Sequence, residues 1–338
     1  MRGEEILPVG KLPASLLASL LSNLRFDDRV VVRPAVGEDV AAIDFGDRYL
    51  VIKTDPITFT TEHQGWYLAN VNANDIATAG AEPKWCVVTA LLPENRTTQE
   101  LAESVFKELS DALRELNVTL CGGHTEITYG LDRTILVGAM LGEVPKDRLV
   151  DKSSARPGDA VLMTKWVPIE GASIIARERG DDMKAAFSKE EIERAGRFLF
   201  DPGISVIKEA MAASRAARVH AMHDITEGGV VTGLVELAVS TGTGIKASAD
   251  AIPVDELARR MCNHFQLDPL GTIASGSLLV AVAPEDEAGV LCAVRAAGVE
   301  CGKVGTLTDR PGEHVIVDGG VEKPLPQFKR DEISKLFS

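Results

Sequence analysis

The 338-residue chain carries 36 Lys and Arg against 50 Asp and Glu, a net charge of −14, with 45% hydrophobic and 25% charged residues. That length predicts two domains rather than one core, and the acidic balance excludes a nucleic-acid binder with a basic footprint. No apolar run approaches the roughly 20 residues of a membrane span. The opening Met-Arg-Gly-Glu-Glu lacks the charged-then-apolar start of a signal peptide, so the cytoplasm is the expected compartment. Five scattered cysteines (Cys86, Cys121, Cys262, Cys292, Cys301) form no Cys-x-x-Cys pair, which excludes the usual zinc and disulfide spacings. Clustered carboxylates suit a protein that works through a divalent metal instead.

In chain order, Lys11-Leu-Pro opens a helix whose Leu16, Leu17, Leu20, Leu21 and Leu24 form an apolar stripe. Gly37-Glu38-Asp39 is an acidic glycine turn entering a strand, and Tyr49–Thr54 forms the second arm of a hairpin. Asp55 is expected at that strand's exit. Trp66, Ala69, Ala73, Ile76 and Ala77 then recur at helical spacing, up to Gly80 and Pro83. This helix holds Asn70, Asn72, Asn74 and Asp75, residues that helix interiors avoid. They form either a solvent-facing stripe or a polar wall toward a ligand.

A strand over Trp85–Leu92 follows, then a helix opened by the capping-box spacing of Thr97 and Glu100. A short strand over Val118–Cys121 is expected to stop at Gly122-Gly123-His124-Thr125-Glu126, before a strand over Thr134–Leu141. Such mixing without strict alternation predicts an α+β first half. The division expected near Lys146–Gly158 gives domains 1–150 and 151–338. In the second half, Asp159–Trp166, Val219–Met222 and Ser277–Ala283 read as strands. Helices are expected up to about Ser240 and over Glu285–Ala297. Lys165, Glu170 and Gly171 are weak candidates for pocket specificity.

Glycine and acid recur together at Gly37-Glu38-Asp39, at Gly122 to Glu126 and from Asp224 to Gly229, with Asp55 adding a further carboxylate. Carboxylates gathered without cations raise one another's pKa values. Magnesium bridging them to phosphate oxygens removes that conflict, and glycines let backbone amides approach phosphate. Lys11 and Lys53 would neutralise remaining charge. Neither a Walker loop nor a Gly-x-Gly-x-x-Gly fingerprint is present.

The order of Gly37-Glu38-Asp39-Val40-Ala41-Ala42, Thr54-Asp55-Pro56, Asn74-Asp75-Ile76, Gly80-Ala81-Glu82-Pro83, Gly122 to Glu126 and His223-Asp224-Ile225-Thr226-Glu227-Gly228-Gly229 resembles the aminoimidazole-ribonucleotide synthetase (PurM)-like ATP-binding superfamily. Within it, the chain is most similar to the hydrogenase-maturation HypE branch. The resemblance implies an α+β two-domain fold, an N-terminal sheet forming a barrel in a homodimer, and a C-terminal α/β half. It implies ATP and Mg2+ as cofactors and phosphorylation of a substrate oxygen ahead of dehydration or amination, the substrate being a small molecule or protein-borne. Two alternatives stay open: a small-molecule kinase of the thiamine-monophosphate type, and a nucleotide-binding assembly protein without turnover.

Carried onto this sequence, Glu38, Asp39, Asp55, Asp75 and Glu126 are metal candidates. Lys11, Lys53, Asn72, Gly122, Gly123 and Thr125 are ATP contacts, with a solvated lysine as the other reading of Lys11. His124 is an acid–base group, or a histidine completing a turn. Asp224 and Glu227 contact substrate or magnesium, or cap the helix that follows. The chain departs from the branch in having no cysteine after Cys301, so dehydration of a thiocarbamate on its own C-terminus is not expected.

Overall fold

The computed structural model describes residues 7, 12–35, 37–58, 60 and 62–337. In the first half these form α1 (Ala14–Leu21), β1 (Val30–Val32), β2 (Ala41–Asp44), β3 (Arg48–Ile57), α2 (Gln64–Thr78), β4 (Glu82–Pro93), α3 (Gln99–Glu115), β5 (Thr119–Thr128) and β6 (Ile135–Pro145). The six strands make one sheet in the order β1-β2-β3-β6-β4-β5, antiparallel except for the β4–β5 pair. α2 and α3 cover one face, burying Leu136, Met140, Cys86 and Val88 beneath Leu68, Ile76 and Leu109. The alternate residues Trp85, Val87, Val137 and Ala139 stay partly exposed on the other face.

Three local expectations are corrected. β3 runs on through Asp55 to Ile57, because each of its residues from Arg48 pairs with β6. Asp55 therefore sits inside a strand, not at its exit. Similarly, β5 passes straight through Gly122 to Glu126. At Gly123 a Cβ would lie 1.8 Å from the Val88 carbonyl oxygen, so this glycine permits close strand pairing. The α3 N-cap is Thr98, which accepts from the Leu101 N–H, while Thr97 Oγ1 donates to the Pro93 carbonyl at 2.7 Å.

The second half contains β7 (Ala160–Thr164), α4 (Ile169–Met183), α5 (Lys189–Gly196), α6 (Ile207–Ala216), β8 (Ala221–Asp224), α7 (Gly229–Thr241), β9 (Gly244–Ser248), α8 (Glu256–His264), β10 (Leu278–Val282), α9 (Glu287–Ala296), β11 (Cys301–Thr308), β12 (His314–Asp318) and β13 (Val321–Pro324). Its seven strands lie in the order β13-β12-β9-β11-β7-β10-β8. α7 packs in a core on one side of this sheet, and α6 and α9 pack in another on the opposite side. The core of the first sheet does not stop at its own half: it continues into Ile169, Ile175, Leu199, Met261 and Leu336.

Polar side chains pin the halves together. Asn74 Nδ2 donates to the Ile204 carbonyl and Asn74 Oδ1 accepts from the Val206 N–H, both at 2.8 Å. Lys165 Nζ donates to the Ser205 and Gly276 carbonyls and pairs with Glu209. All its donors are thereby engaged inside the second half. Gly171 packs against Thr272 and the Ile273 carbonyl, where a Cβ would come within 2.4 Å. Glu170 is buried at the start of α4, hydrogen-bonded by Ser275, with Oε2 unpartnered. Burial chiefly, with help from the Asp331 charge and against Arg177, pushes its carboxyl up to about 7.

Two predictions follow from this packing. A Cβ at Gly65 would fall 2.5 Å from the Leu109 backbone nitrogen, where α2 crosses α3. Gly65→Ala should cost about 1–3 kcal/mol, read as a lower urea midpoint. Because the folded pKa of Glu170 exceeds its unfolded value, the native state loses stability as pH rises from about 4.3 towards 7, by roughly 3 kcal/mol once ionised. Glu170→Gln should remove that slope. Urea melts at pH 5 and pH 8 should show the variant matching wild type at the lower pH and exceeding it at the higher.

Candidate metal centre

At the seam between the two sheets, four carboxylates arrive from four segments. Asp39 comes from the loop before β2, Asp55 from β3, Asp75 from α2 and Asp224 from the end of β8. Three cations thread between them. Lys53 Nζ lies 3.0 Å from Asp75 Oδ2 and 3.3 Å from Asp55 Oδ2. Lys152, in a short 3-10 turn, donates to Asp39 Oδ2 at 2.9 Å and to the Gly37 carbonyl at 2.8 Å. His223 Nδ1 is 3.4 Å from Asp39 Oδ2, while its Nε2 is 3.0 Å from Glu236 Oε2. One ligand atom each from Asp39, His223 and Asp224 lie within 4.8 Å of one another.

The electrostatics follow from burial and neighbours. Burial opposes ionisation of Asp39, yet His223 and Lys152 hold its carboxyl far below the usual range. Asp75 is driven well above its ordinary value by burial and by the Asp224 charge, with Lys53 opposing. Asp224 is raised by burial and by Asp39. For His223, burial favours the neutral ring, but its bonds to Asp39 and Glu236 push it up to about 9. Lys53 is desolvated too, yet Asp75 and Asp55 raise its pKa.

A divalent ion fits this donor set. Asp75 Oδ2 is buried without a hydrogen-bond partner; Lys53 reaches it only as an ion pair. Burial raises both carboxyls, helped at Asp75 by the Asp224 charge and at Asp224 by the Asp39 charge. An oxygen-coordinated dication would offset that repulsion.

The expected site residues are divided. Asp39, Asp55, Asp75, Asp224 and Lys53 come together. Glu38 is adjacent, half-buried in a hollow with Thr78 and Lys152, its carboxyl raised by burial against the Lys152 charge. Asn72 is corrected: its Oδ1 accepts from the Asp55 N–H at 2.9 Å and its Nδ2 donates to the Leu68 carbonyl at 3.0 Å. This buried carboxamide docks α2 on β3 and presents nothing to a ligand. The capping alternative for Asp224 and Glu227 is also excluded, because Gly228 is the α7 N-cap and no side chain bonds there. Glu227 is half-buried in the turn after β8, and the Gly228 N–H beside it is held by Asp331 at 2.6 Å. Lys11 lies outside the described residues.

Gly122, Gly123, His124, Thr125 and Glu126 lie elsewhere, along the exposed edge strand β5. His124 Nε2 meets Glu126 Oε2 at 3.2 Å. His124 is in register with Thr89, whose neighbours Val88 and Ala90 point into the helix-covered core. By strand alternation His124 and Glu126 therefore face the uncovered side of the sheet. Asp55, by contrast, meets Lys53 and Asp75 on the α2 side. The first sheet separates His124 and Glu126 from Asp55 within one chain.

Sequence reasoning missed His223, Lys152 and Glu236. His223 was visible as the neighbour of Asp224 in His-Asp-Ile-Thr-Glu-Gly-Gly. Lys152 sits in the connection between the sheets, where local pattern carries no sign of it.

Comparison with known proteins places these features in a lineage. A Methanocaldococcus jannaschii protein assigned to hydrogenase expression/formation is 26% identical over 254 residues, covering 74% of this chain and 72% of that one. The carbamoyl dehydratase HypE of Azotobacter vinelandii is 28% identical over 309 residues, covering 88% and 84%. The crystal structure of hydrogenase maturation protein HypE in complex with ATP superposes with a TM-score of 0.72 at 23% identity, covering 89% and 92%. The described residues contain no helix long and apolar enough to cross a membrane. The N-terminal domain model of AIR synthase related proteins matches residues 37–144 and the C-terminal domain model matches 156–318, and the chain belongs to the AIR synthase related family.

Proposed function

We propose that this chain is a magnesium-dependent, ATP-using enzyme that phosphorylates a substrate oxygen, activating it for dehydration or amination as in hydrogenase maturation. The observation that carries the reading is the convergence of Asp39, Asp55, Asp75 and Asp224 around Lys53 at the seam of the two sheets. Its similarity to the carbamoyl dehydratase HypE supports the branch. In this proposal residues 1–150 bind ATP and dimerise, and residues 151–338 complete the cleft.

Bound magnesium would neutralise phosphate charge and polarise the phosphoryl group for transfer. Asp39, Asp55, Asp75 and Asp224 would hold it. Lys53 would remain as a cation against phosphate oxygens, positioned by its carboxylate neighbours and screened from water on the α2 side. Positioning and charge stabilisation are then the protein's main contributions. We propose a homodimer formed through the uncovered face and the β5 edge of the first sheet, where Val87, Ile127 and Tyr129 are exposed. We further propose the cytoplasm as its compartment, since all five cysteines carry free thiols.

Calorimetry with magnesium and a non-hydrolysable ATP analogue tests the reading. Asp55→Asn and Asp75→Asn should each weaken nucleotide binding by about 100-fold, equivalent to about 2.7 kcal/mol, with the circular-dichroism spectrum unchanged. Wild-type affinity in both variants would remove the proposal. Incubation with ATP and candidate acceptors then separates the chemistry: free phosphate with a dehydrated or aminated product is expected, and a stable phosphorylated product would indicate a kinase.

A further inference from the structure

We propose that Lys165 is a positioning residue for the metal centre: its ammonium ties together the two loops that back Asp75 and Asp224, and so sets the separation of those carboxylates. The inference rests on the magnesium–nucleotide reading above, and names a residue on which that site depends without being touched by it.

Lys165 follows β7 with its backbone in the left-handed region, at a φ of 52°, a conformation that is costly for a residue with a Cβ. Its side chain is buried, as is that of Glu209 on α6. Nζ lies 2.6 Å from the Ser205 carbonyl oxygen, 2.8 Å from that of Gly276 and 2.8 Å from Glu209 Oε1. All three ammonium protons are thus used, and Glu209 Oε1 also accepts from the Thr164 hydroxyl at 3.3 Å. Replacing such a buried ion pair by apolar side chains of similar volume is often neutral or stabilising, so stability alone gives no reason for it. What distinguishes this pair is that two of the three ammonium bonds go to loop backbone.

Each loop leads directly to a carboxylate. Ser205 sits between Ile204 and Val206, whose carbonyl and N–H are both gripped by Asn74 at 2.8 Å, and Asn74 precedes Asp75 on α2. Gly276 precedes Ser277, whose carbonyl accepts from the Ile225 N–H at 2.9 Å, immediately after Asp224; Leu278 is in register with Asp224 itself. The two loops also touch, since a Cβ on Gly276 would lie 2.9 Å from the Gly203 carbonyl oxygen and 3.1 Å from Ile204 Cα. One ammonium therefore completes a continuous path from Asp75 through Asn74, Ser205, Gly276 and Ser277 to Asp224. Residues that orient metal-binding carboxylates from behind typically account for roughly 10–100-fold in metal affinity.

The test uses the full-length protein, with magnesium titrated in calorimetry at a fixed concentration of a non-hydrolysable ATP analogue. Lys165→Met combined with Glu209→Gln removes both charges and leaves no buried ion unpaired, so the circular-dichroism spectrum should stay that of the wild type. This paired variant should bind magnesium at least about tenfold more weakly. Its hydrogen exchange should rise at residues 204–206 and 275–277 while β7 and β10 stay protected. Gly276→Ala, which forces the loops apart with the ion pair intact, should weaken magnesium by a similar factor. Val290→Ala, a cavity in the core beneath α9, should lower the melting temperature and leave magnesium affinity at the wild-type value. Wild-type affinity in the paired variant or in Gly276→Ala would overturn the inference, and so would an equal loss in Val290→Ala. Gly276→Ala decides the matter even if the paired variant fails to fold. A wild type that binds no magnesium with nucleotide would overturn the reading beneath and this inference with it; variants that bind as well as a binding wild type would remove this inference alone.

Discussion

The structure depends on a charge balance: buried carboxylates held at the junction of two sheets by lysines and a histidine from distant parts of the chain. Asp39 and Lys152 are 113 residues apart, and Asp39 and His223 are 184 apart. Removing charged groups from water costs several kcal/mol per ion unless each is paired and hydrogen-bonded. The cluster can therefore form only when both halves are folded and docked. Lys53, Lys152 and His223 supply counter-charge to the carboxylates, while burial holds the Asp75 and Asp224 carboxyls above their ordinary range. A site kept compact by internal cations is pre-organised, because a ligand exchanges counter-charges within a fixed frame and does not have to assemble it.

α2 makes this frame rigid. Three of its polar side chains have separate tasks. Asn72 grips the backbone of β3 at Asp55, Asn74 grips residues 204 and 206 of the second half, and Asp75 enters the cluster between them. Asn70 donates to the Trp66 carbonyl within the helix. The cost of Asn in a helix interior is a few tenths of a kcal/mol each, smaller than the cost of leaving buried backbone groups of the facing segments unpaired. The helix is consequently a strut that sets the separation of the two sheets, with one residue in four reserved for the site.

Much of this was legible in the linear pattern, for a physical reason in each case. The C-terminal end of α2 follows from apolar spacing ended by Gly80, which has a positive φ of 73°. Asp39, Asp55 and Asp224 stand out by their association with glycines and strand ends, and Asp75 by its place on a helix rich in Asn; the four lie together at the seam. Two kinds of information were hidden. Strand continuity through Gly122 to Glu126 depends on pairing with β4, a non-local contact that overrides the turn preference of two glycines. The face on which a strand residue lands depends on register, so a linear motif could not tell that His124 and Asp55 are divided by the sheet. Asn72 shows the same limit, since a buried amide reads identically whether it clamps backbone or binds phosphate.

The segment on β5 carries a further consequence. An edge strand of ten residues, with Ile127 within it and Tyr129 just after it exposed, leaves unpaired N–H and C=O groups, a surface that natural sheets cover, charge or interrupt. β5 has His124 and Glu126, paired to one another, as its long polar side chains, and its two consecutive glycines offer no side-chain bulk against an approaching chain. The uncovered face beside it carries a hollow lined by Thr54, Val87, Thr89, His124, Val137 and Ala139. A second copy seated there would satisfy the edge and the face together, and would bury His124 and Glu126 in a contact between subunits. In the proposed homodimer the Gly-Gly-His-Thr-Glu stretch would lie at the dimer surface, and any part it takes in chemistry would be reached through the neighbouring chain.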